Sequence, residues 1–567
     1  MNPITTQQAN CRDCHRCMRY CPVKAVGIEK GQARLVEEKC ILCGKCVTEC
    51  PQQARQVGSR RADVQAAMGE GRSVILSLAP SFVALFPEYT PAELFDRLQQ
   101  LGFDLVEETA VGAEAVSRIY SSLLASADKT VISACCPVVV AAVQKYYPDL
   151  TDNLAPVVSP MLAHAKLLRE RFGPEAYIVF AGPCIAKIAE AEASAGLVDA
   201  VLTFEQLRRW LTEAAPSEAR GTGAGKPAPE RLNAGAARHY PIAGGILKSF
   251  MRRETTDTDI VAVDSLENCF EVLDGLRNRE IAPRFIEALA CTGGCINGPA
   301  SGLVACTPAK RRKVTDYAGP SPVIGWRFPE TIPLGRTIQA EPVEEEMPSE
   351  ARIREVLRLT GKTSSQDEKN CGACGYNTCR EKAIAVCQGL TEIDTCVPYM
   401  RSKAESFANI IVDNSINAII VVNNRLEIQE FNPAAEAMFD QQRVMVKGVR
   451  LTGLMDCTDI AAAVRSREIV DGRRIEFAES KLVVNQKIIP VPEHSLVIIV
   501  FSDITQEEKH NRELTQMRLQ TVEKASEIIT KQMQVAQEIA GLLGETTAET
   551  KGALLELISV LKDKGEG

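Results

Sequence analysis

The chain has 567 residues, 45% of them hydrophobic and 24% charged, with a net charge of −8 and 21 cysteines. At roughly 150 residues per domain the length predicts three to four domains, and 73 acidic against 65 basic residues give no general attraction to nucleic acid or an anionic membrane. No window approaches the roughly 18 unbroken apolar residues of a membrane span, and MNPITTQQAN lacks the basic and apolar regions of a secretory signal, so a cytoplasmic protein is expected whose cysteines are ligands rather than disulfides.

Eight cysteines fall in residues 11–50, six between 135 and 295 and five between 371 and 396, leaving Cys306 and Cys457 apart. In the first group Cys11, Cys14, Cys17 and Cys21-Pro22 repeat as Cys40, Cys43, Cys46 and Cys50-Pro51, two C-x2-C-x2-C-x3-C-P runs. Two residues between ligands let one loop wrap three corners of a cubane, while the fourth cysteine reaches the other cluster. One 4Fe–4S cluster then takes Cys11, Cys14, Cys17 and Cys50, and the other takes Cys40, Cys43, Cys46 and Cys21. Zinc also uses paired cysteines, but zinc sites rarely repeat a three-plus-one pattern with trailing prolines. Residues 1–58 resemble the bacterial two-cluster ferredoxins, whose clusters relay electrons.

From Val74 to Phe180 short apolar runs alternate with amphipathic helical patterns. VILSLAP (74–80), VISACC (131–136) and AYIVFAGPC (176–184) read as buried strands ending in Cys or Pro turns, with helices over 91–101 and 161–171. The alternation predicts an α/β domain with a parallel sheet, in which ligands sit at the carboxyl ends of strands, where these cysteines fall. Residues 215–238, rich in Ala, Gly, Pro and charge, read as a solvated insertion, and 339–351 with EPVEEE as an acidic linker.

Four motifs carry chemistry here: Ala79-Pro80-Ser81, Ser133-Ala134-Cys135-Cys136-Pro137, Gly182-Pro183-Cys184-Ile185-Ala186-Lys187, and Glu287-Ala288-Leu289-Ala290-Cys291-Thr292-Gly293-Gly294-Cys295-Ile296-Asn297-Gly298. In this order, after two ferredoxin clusters, they make residues 70–328 resemble the active-site domain of FeFe-hydrogenases. The resemblance implies an H-cluster, a cubane sharing one thiolate with a two-iron unit that carries CO, cyanide and a bridging dithiolate. It implies that Cys136, Cys184, Cys291 and Cys295 hold the cubane, with Cys295 bridging to the two-iron unit. Cys135 would pass protons toward that bridge, Ser81 and Lys187 would donate hydrogen bonds to the cyanides, and Pro80 would lie beside one of them. Thiolates suit soft iron and donors suit anionic cyanide. Ser159-Pro160-Met161, Gly244-Gly245 and the segment Asp199 to Glu205 also resemble family segments, without assigned chemistry.

Departures from the family are specific. Gly182 and Leu289 stand where catalytic members have methionines, the acidic proton-relay pair falls within AEAVSRIY (113–120) where only Glu114 is acidic, and Asn297-Gly298-Pro299 replaces a more glycine-rich turn. A looser pocket and a broken proton path imply slow turnover. A scaffold holding the cubane alone is the competing reading. Cys269 and Cys306 match no motif and are expected to be small buried hydrophobes.

Cys371, Cys374, Cys379 and Cys396 form C-x2-C-x4-C-x16-C with Gly-Tyr after the second cysteine. The pattern resembles the small 4Fe–4S domain of corrinoid iron–sulfur proteins, over residues 350–402, with zinc as the alternative; Cys387, at helical spacing, reads as a packing residue. Residues 404–505, from Ala418 through FNPAAEAMFD (431–440) to Asp503-Ile504-Thr505, resemble a PAS sensory domain. Its one histidine, His494 in a loop-like VPEHS, reads as solvated, so its ligand stays unknown. From Gln506 to 563 the chain reads as one polar helix whose Ala525, Ile528, Val535, Ile539 and Leu542 form a coiled-coil seam broken at Gln532, hence a homodimer.

The fold class is therefore multidomain α/β and α+β: a ferredoxin-like cluster domain, an α/β H-cluster domain, a small 4Fe–4S domain, a PAS α+β domain and a C-terminal coiled-coil helix. The function expected is hydrogen or redox sensing, with electrons relayed through three 4Fe–4S clusters and the H-cluster. Expected partners are hydrogen and protons, an electron carrier such as ferredoxin, and a separate kinase, phosphatase or response regulator; nucleic acid and membrane are excluded. A catalytic ferredoxin-coupled hydrogenase, or an electron-transfer scaffold without the two-iron unit, are the alternatives.

Overall fold

The computed structural model describes residues 2–126, 128–214, 231–251, 259–303, 305–319, 327–477, 481–543 and 548–563. They divide into two compact units, Met1–Tyr399 and Met400–Gly567.

The first unit opens with four short strands, β1 (Ile4–Thr6), β2 (Val26–Glu29), β3 (Gln32–Leu35) and β4 (Arg55–Val57), paired antiparallel as β1 with β4 and β2 with β3. The repeated cysteine runs give repeated geometry: Ala25 N donates to Cys21 Sγ at 3.2 Å and Ala54 N donates to Cys50 Sγ at 3.3 Å.

Seven strands follow: β5 (Val74–Leu78), β6 (Leu105–Glu108), β7 (Val131–Ile132), β8 (Tyr177–Gly182), β9 (Ala200–Thr203), β10 (Ile260–Asp264) and β11 (Phe285–Leu289). They build two parallel sheets, β6-β5-β8-β9 and β10-β11-β7. Helices cover them, which is why VILSL, apolar but for Ser77, and YIVFAG are buried along their whole length. The connecting helices start where the sequence caps them. Thr90 and Glu93 form a reciprocal capping box before helix Pro91–Gln100, and Ser159 accepts from Leu162 N before helix Pro160–Phe172.

Two linker expectations are corrected. Residues 215–230 lie outside the described residues, but 231–238 are no solvated insertion: Leu232 N donates to Glu107 Oε1 at 2.9 Å, and Ala234 and Ala237 are buried. The acidic segment is strapped down, with Glu341 N donating to Gln144 O at 3.0 Å, Val343 N to Lys145 O at 3.2 Å, and Glu345 paired with Lys39 at 2.6 Å. A side-chain carboxylate holds the first and backbone pairing the second, neither of which composition reveals. Helices Glu350–Leu359 and Cys379–Cys387 then pack through Ile353, Val356, Leu357 and Ala383, with Cys387 against them as expected.

The second unit is an antiparallel sheet of β12 (Ala418–Asn423), β13 (Ile428–Phe431), β14 (Val470–Phe477), β15 (Leu482–Val491) and β16 (Leu496–Asp503), in the order β13-β12-β16-β15-β14. Alternate residues of β12 are buried, one face packing on helices and the other partly solvated. Phe439 is central to this core, its ring meeting Phe431, Phe477 and Phe501 with centroids 5.3 to 6.1 Å apart. His494 is exposed. The tail contains two described helices, Thr505–Leu543 and Ala548–Asp563, rather than one. Ile528, Val535 and Ile539 of the expected seam are each more than half exposed, while the Leu542 side chain lies outside the described residues. No described helix is long and apolar enough to cross a membrane.

Candidate functional site

The carboxyl ends of both parallel sheets open on one pocket. β5 delivers Ala79-Pro80-Ser81, β6 Thr109, β7 Cys135-Cys136, β8 Pro183-Cys184 and β11 Ala290-Cys291; Lys187, Cys295 and Tyr240 complete the wall. All eight residues expected there, Pro80, Ser81, Cys135, Cys136, Cys184, Lys187, Cys291 and Cys295, thus line one cavity, though they span more than 200 positions. Burial pushes the thiols of Cys184 and Cys295 up, to about 11 and about 12, and those of Cys135 and Cys291 well above the usual range. Such thiols keep their protons at neutral pH unless a cation meets them, which is what iron supplies to a thiolate ligand.

Polar groups in the wall are few and placed. Ser81 is fully buried, and its Oγ has no hydrogen-bond partner. Lys187 Nζ donates to Glu190 Oε2 at 2.6 Å and to Cys135 O at 3.4 Å. Burial alone would lower the lysine pKa, but the charge and hydrogen bond of Glu190 reverse this and raise it. Glu190 also accepts from Ser159 Oγ at 3.1 Å.

Gly182 does not leave open space. A Cβ there would lie 2.8 Å from the Phe180 ring, and Phe180 itself lines the pocket beside Leu289. Glu114 is absent from the pocket wall, and Tyr120 is fully buried with its oxygen accepting from Ala134 N at 3.0 Å. A different polar chain leads off the pocket: Tyr240 Oη lies 2.9 Å from Ser117 Oγ, which lies 2.6 Å from Ser249 Oγ. Near it Glu287 accepts from Gly244 N at 2.8 Å and Leu247 N at 3.0 Å, and burial pushes its carboxyl up to about 7 against those bonds.

The ferredoxin-like loops reach this pocket. Leu42 and Cys43 are part of its wall, and a Cβ on Gly44, at φ 74°, would lie 2.5 Å from Pro299. Cys21, Cys40, Cys43 and Cys46 are close enough for their charges to act on one another, and Cys43 acts on Cys291. Cys11, Cys14, Cys17 and Cys50 line a second cavity. Between the sets lies Arg55, buried, donating to Thr6 Oγ1 at 2.6 Å and acting on both Cys17 and Cys46.

Around the third set, Cys379 N donates to Asn370 Oδ1 at 2.7 Å, and Lys362 Nζ lies 3.6 Å from Cys396 Sγ. Buried Lys382 feels both Cys374 and Cys396, and burial lowers its pKa to about 8. Among the described residues no three His, Cys, Asp or Glu side chains close on a single ion; cubane ligands bind different irons and so line a space rather than a point. Cys269 is buried as expected. Cys306 is a correction, because it is exposed just before helix Thr307–Ala318.

Arg55, Glu190 and Tyr240 escape the sequence reading, and Glu287 opens the fourth motif without a role of its own. Glu190 has a signal, three residues after Lys187 on one helix; Arg55 and Tyr240 are brought in by tertiary structure.

Thiols gathered in one pocket that the repeated cysteine loops also reach define the class, an iron–sulfur protein with a multi-thiol site. Residues 72–299 match the family described as iron only hydrogenase large subunit, C-terminal domain, 10–54 the 4Fe-4S dicluster domain, and 367–398 a family of Fe-S cluster segments. Iron hydrogenase 1 of Clostridium pasteurianum is 23% identical over 40% of this chain and 50% of its own length. The large subunit of the periplasmic [Fe] hydrogenase of Nitratidesulfovibrio vulgaris is 24% identical over 52% of this chain and 85% of its own. The cytosolic Fe-S cluster assembly factor NAR1 of Yarrowia lipolytica is 29% identical over 33% of this chain and 46% of its own. The chain thus spans half the length of the Clostridium relative. It is an FeFe-hydrogenase-like iron–sulfur protein with ferredoxin-like cluster segments.

Proposed function

We propose that the chain is a hydrogen- or redox-sensing FeFe-hydrogenase-like protein that relays electrons through 4Fe–4S clusters. Its Met400–Gly567 unit passes the state of the buried site to a separate regulator. The carrying observation is that Cys136, Cys184, Cys291 and Cys295 share one pocket with Cys135, Ser81 and Lys187, and with Cys43 of the ferredoxin-like loops.

These residues fit an H-cluster. Four half-buried thiols facing one pocket suit a cubane, and the orphaned Ser81 hydroxyl needs an acceptor such as a bound cyanide. Cys136, Cys184, Cys291 and Cys295 would hold the group, which when bound supplies the metal centre where hydrogen is split or formed. Lys187, already charged by its pairing with Glu190, would offer its remaining protons to an anion in the pocket. Cys135, buried and protonated, would hold a proton at its Sγ. Tyr240, Ser117 and Ser249 form a hydroxyl chain along which a proton can leave the wall. Cys43 beside Cys291 supports electron exchange between the pocket cubane and the cluster on Cys21, Cys40, Cys43 and Cys46.

The sensing assignment rests on the second unit. Its antiparallel sheet, with Asn432 capping the helix after β13, supports the PAS reading, and the exposed apolar residues of Thr505–Leu543 support a homodimer seam. The Tyr240 hydroxyl chain favours the second reading, a working hydrogenase coupled to ferredoxin. The test exposes the full chain, loaded with a two-iron cofactor, to hydrogen and follows the ferredoxin-type EPR signals and dye-linked hydrogen evolution. A sensor shows hydrogen-dependent reduction with slow evolution, and a working enzyme shows fast evolution abolished in Cys135→Ala. Clusters that stay oxidised under hydrogen contradict both and leave the electron-transfer scaffold.

A further inference from the structure

The segment holding Cys371 to Cys396 docks on the β2–β3 hairpin. Ile28 N donates to Leu390 O at 3.0 Å, an Arg34 guanidinium nitrogen to Gly389 O at 3.0 Å, and Lys30 N to Glu392 Oε1 at 2.6 Å. The approach is closest at Gly375, where φ is 87° and a Cβ would lie 3.1 Å from Arg19 Cα. Only a residue without a side chain allows the two backbones to meet there.

The next residue, Tyr376, is 5% exposed, and its Oη has no hydrogen-bond partner. A buried phenol without an acceptor is costly, so native structures rarely keep one without reason. The thiols of Cys374 and Cys21 are close enough to act on it, and Lys382 Nζ lies 6.0 Å from its ring centroid. Cys21 belongs to the set with Cys40, Cys43 and Cys46, and Cys374 to the set after residue 370. Cluster thiolates and sulfides accept hydrogen bonds, and such bonds tune cluster potential.

We propose that Tyr376 marks an electron port, where the cluster on Cys371, Cys374, Cys379 and Cys396 exchanges electrons with the cluster on Cys21, Cys40, Cys43 and Cys46 across the Cys374–Tyr376–Cys21 junction. The relay is then branched. The cluster on Cys11, Cys14, Cys17 and Cys50 is one arm, the docked segment is the other, and both meet at the cluster whose Cys43 lines the pocket. Each transfer moves one electron, oxidising one cubane and reducing the other, with no bond or proton exchanged. Tyr376 acts as a positioning residue, its hydroxyl donating to sulfur on one side of the junction.

This inference rests on the cluster assignments proposed above, and the experiment separates the two. The full chain, its clusters reconstituted, is assayed for iron and titrated electrochemically with EPR detection, alongside Cys374→Ala and Tyr376→Phe. Cys374→Ala is expected to lose one cubane of iron together with the spin–spin broadening between the docked cluster and its neighbour. Tyr376→Phe is expected to keep its iron and its melting temperature while the midpoint of one of the two clusters shifts downward, because a hydrogen bond to sulfur favours the reduced, more negative state. Unchanged iron in Cys374→Ala would overturn the cluster assignment and the port with it. A full complement of clusters that are magnetically isolated, with midpoints unmoved in Tyr376→Phe, would overturn the port alone.

Discussion

The Lys187 ammonium lies 2.6 Å from the Glu190 carboxylate, both buried in or against the wall that holds six cysteines. Breaking a buried ion pair from one side leaves an uncompensated charge and costs about 3–5 kcal/mol. Glu190→Gln is therefore expected to lower the melting temperature of the first unit. It also removes a negative charge near the pocket, so the midpoint of the pocket cluster should rise by roughly tens of millivolts. Denaturation and EPR-monitored titration check the two effects, and a midpoint unchanged or lowered would contradict the assignment.

Arg55 is buried and acts on Cys17 of one set and Cys46 of the other. A cation between two cubanes favours their reduced states. Arg55→Gln should lower both ferredoxin-type midpoints, and Arg55→Lys, which keeps the charge, should restore part of the shift. Equal midpoints in all three proteins would place the guanidinium outside the redox environment.

Glu287 carries a carboxyl pushed up to about 7 by burial. Because its folded pKa lies above the unfolded value of about 4.3, the folded state binds the extra proton between those two pH values. Stability should therefore fall as pH rises from about 4.3 through about 7, the cost being complete above the folded pKa. An infrared carboxylic C=O band should disappear over the same upper range and be missing in Glu287→Gln. A band already gone at pH 5 would contradict this environment.

Asn432 is fully buried and makes four hydrogen bonds. Its Oδ1 accepts from Ile419 N and Ala435 N, and its Nδ2 donates to Val412 O and Asn417 O, all between 2.8 and 3.0 Å. Asn432→Ala removes a helix cap and strands several buried backbone groups, at a cost of about 2–4 kcal/mol. In the full chain the unfolding transition of the Met400–Gly567 unit should shift downward, while cluster absorbance, which reports the first unit, should hold its transition.

How much of this was legible in the sequence follows from how local each feature is. Cysteine spacing is local, and Cys11, Cys14, Cys17 and Cys50 do line one cavity. Capped helices such as Pro91–Gln100 and apolar strands such as Val74–Leu78 announce themselves by period and by cap. Partners supplied by distant segments do not. Tyr240 reaches the pocket through a short 3-10 turn that follows an Ala-rich stretch without a period, and Tyr376 acquires its setting from the β2–β3 hairpin. Cys306 was misread for the same reason: residue type favours burial, but the start of an exposed helix decides otherwise.

In the proposed function the pocket of Cys136, Cys184, Cys291 and Cys295 accepts a two-iron unit beside its cubane. Infrared spectra of the full chain, taken before and after incubation with a synthetic two-iron cofactor and then under hydrogen, test it most directly. CO and cyanide bands are expected to appear, the cyanide bands to shift in Ser81→Ala, and the pattern to change under hydrogen. A fully cubane-loaded chain that never develops these bands would contradict it.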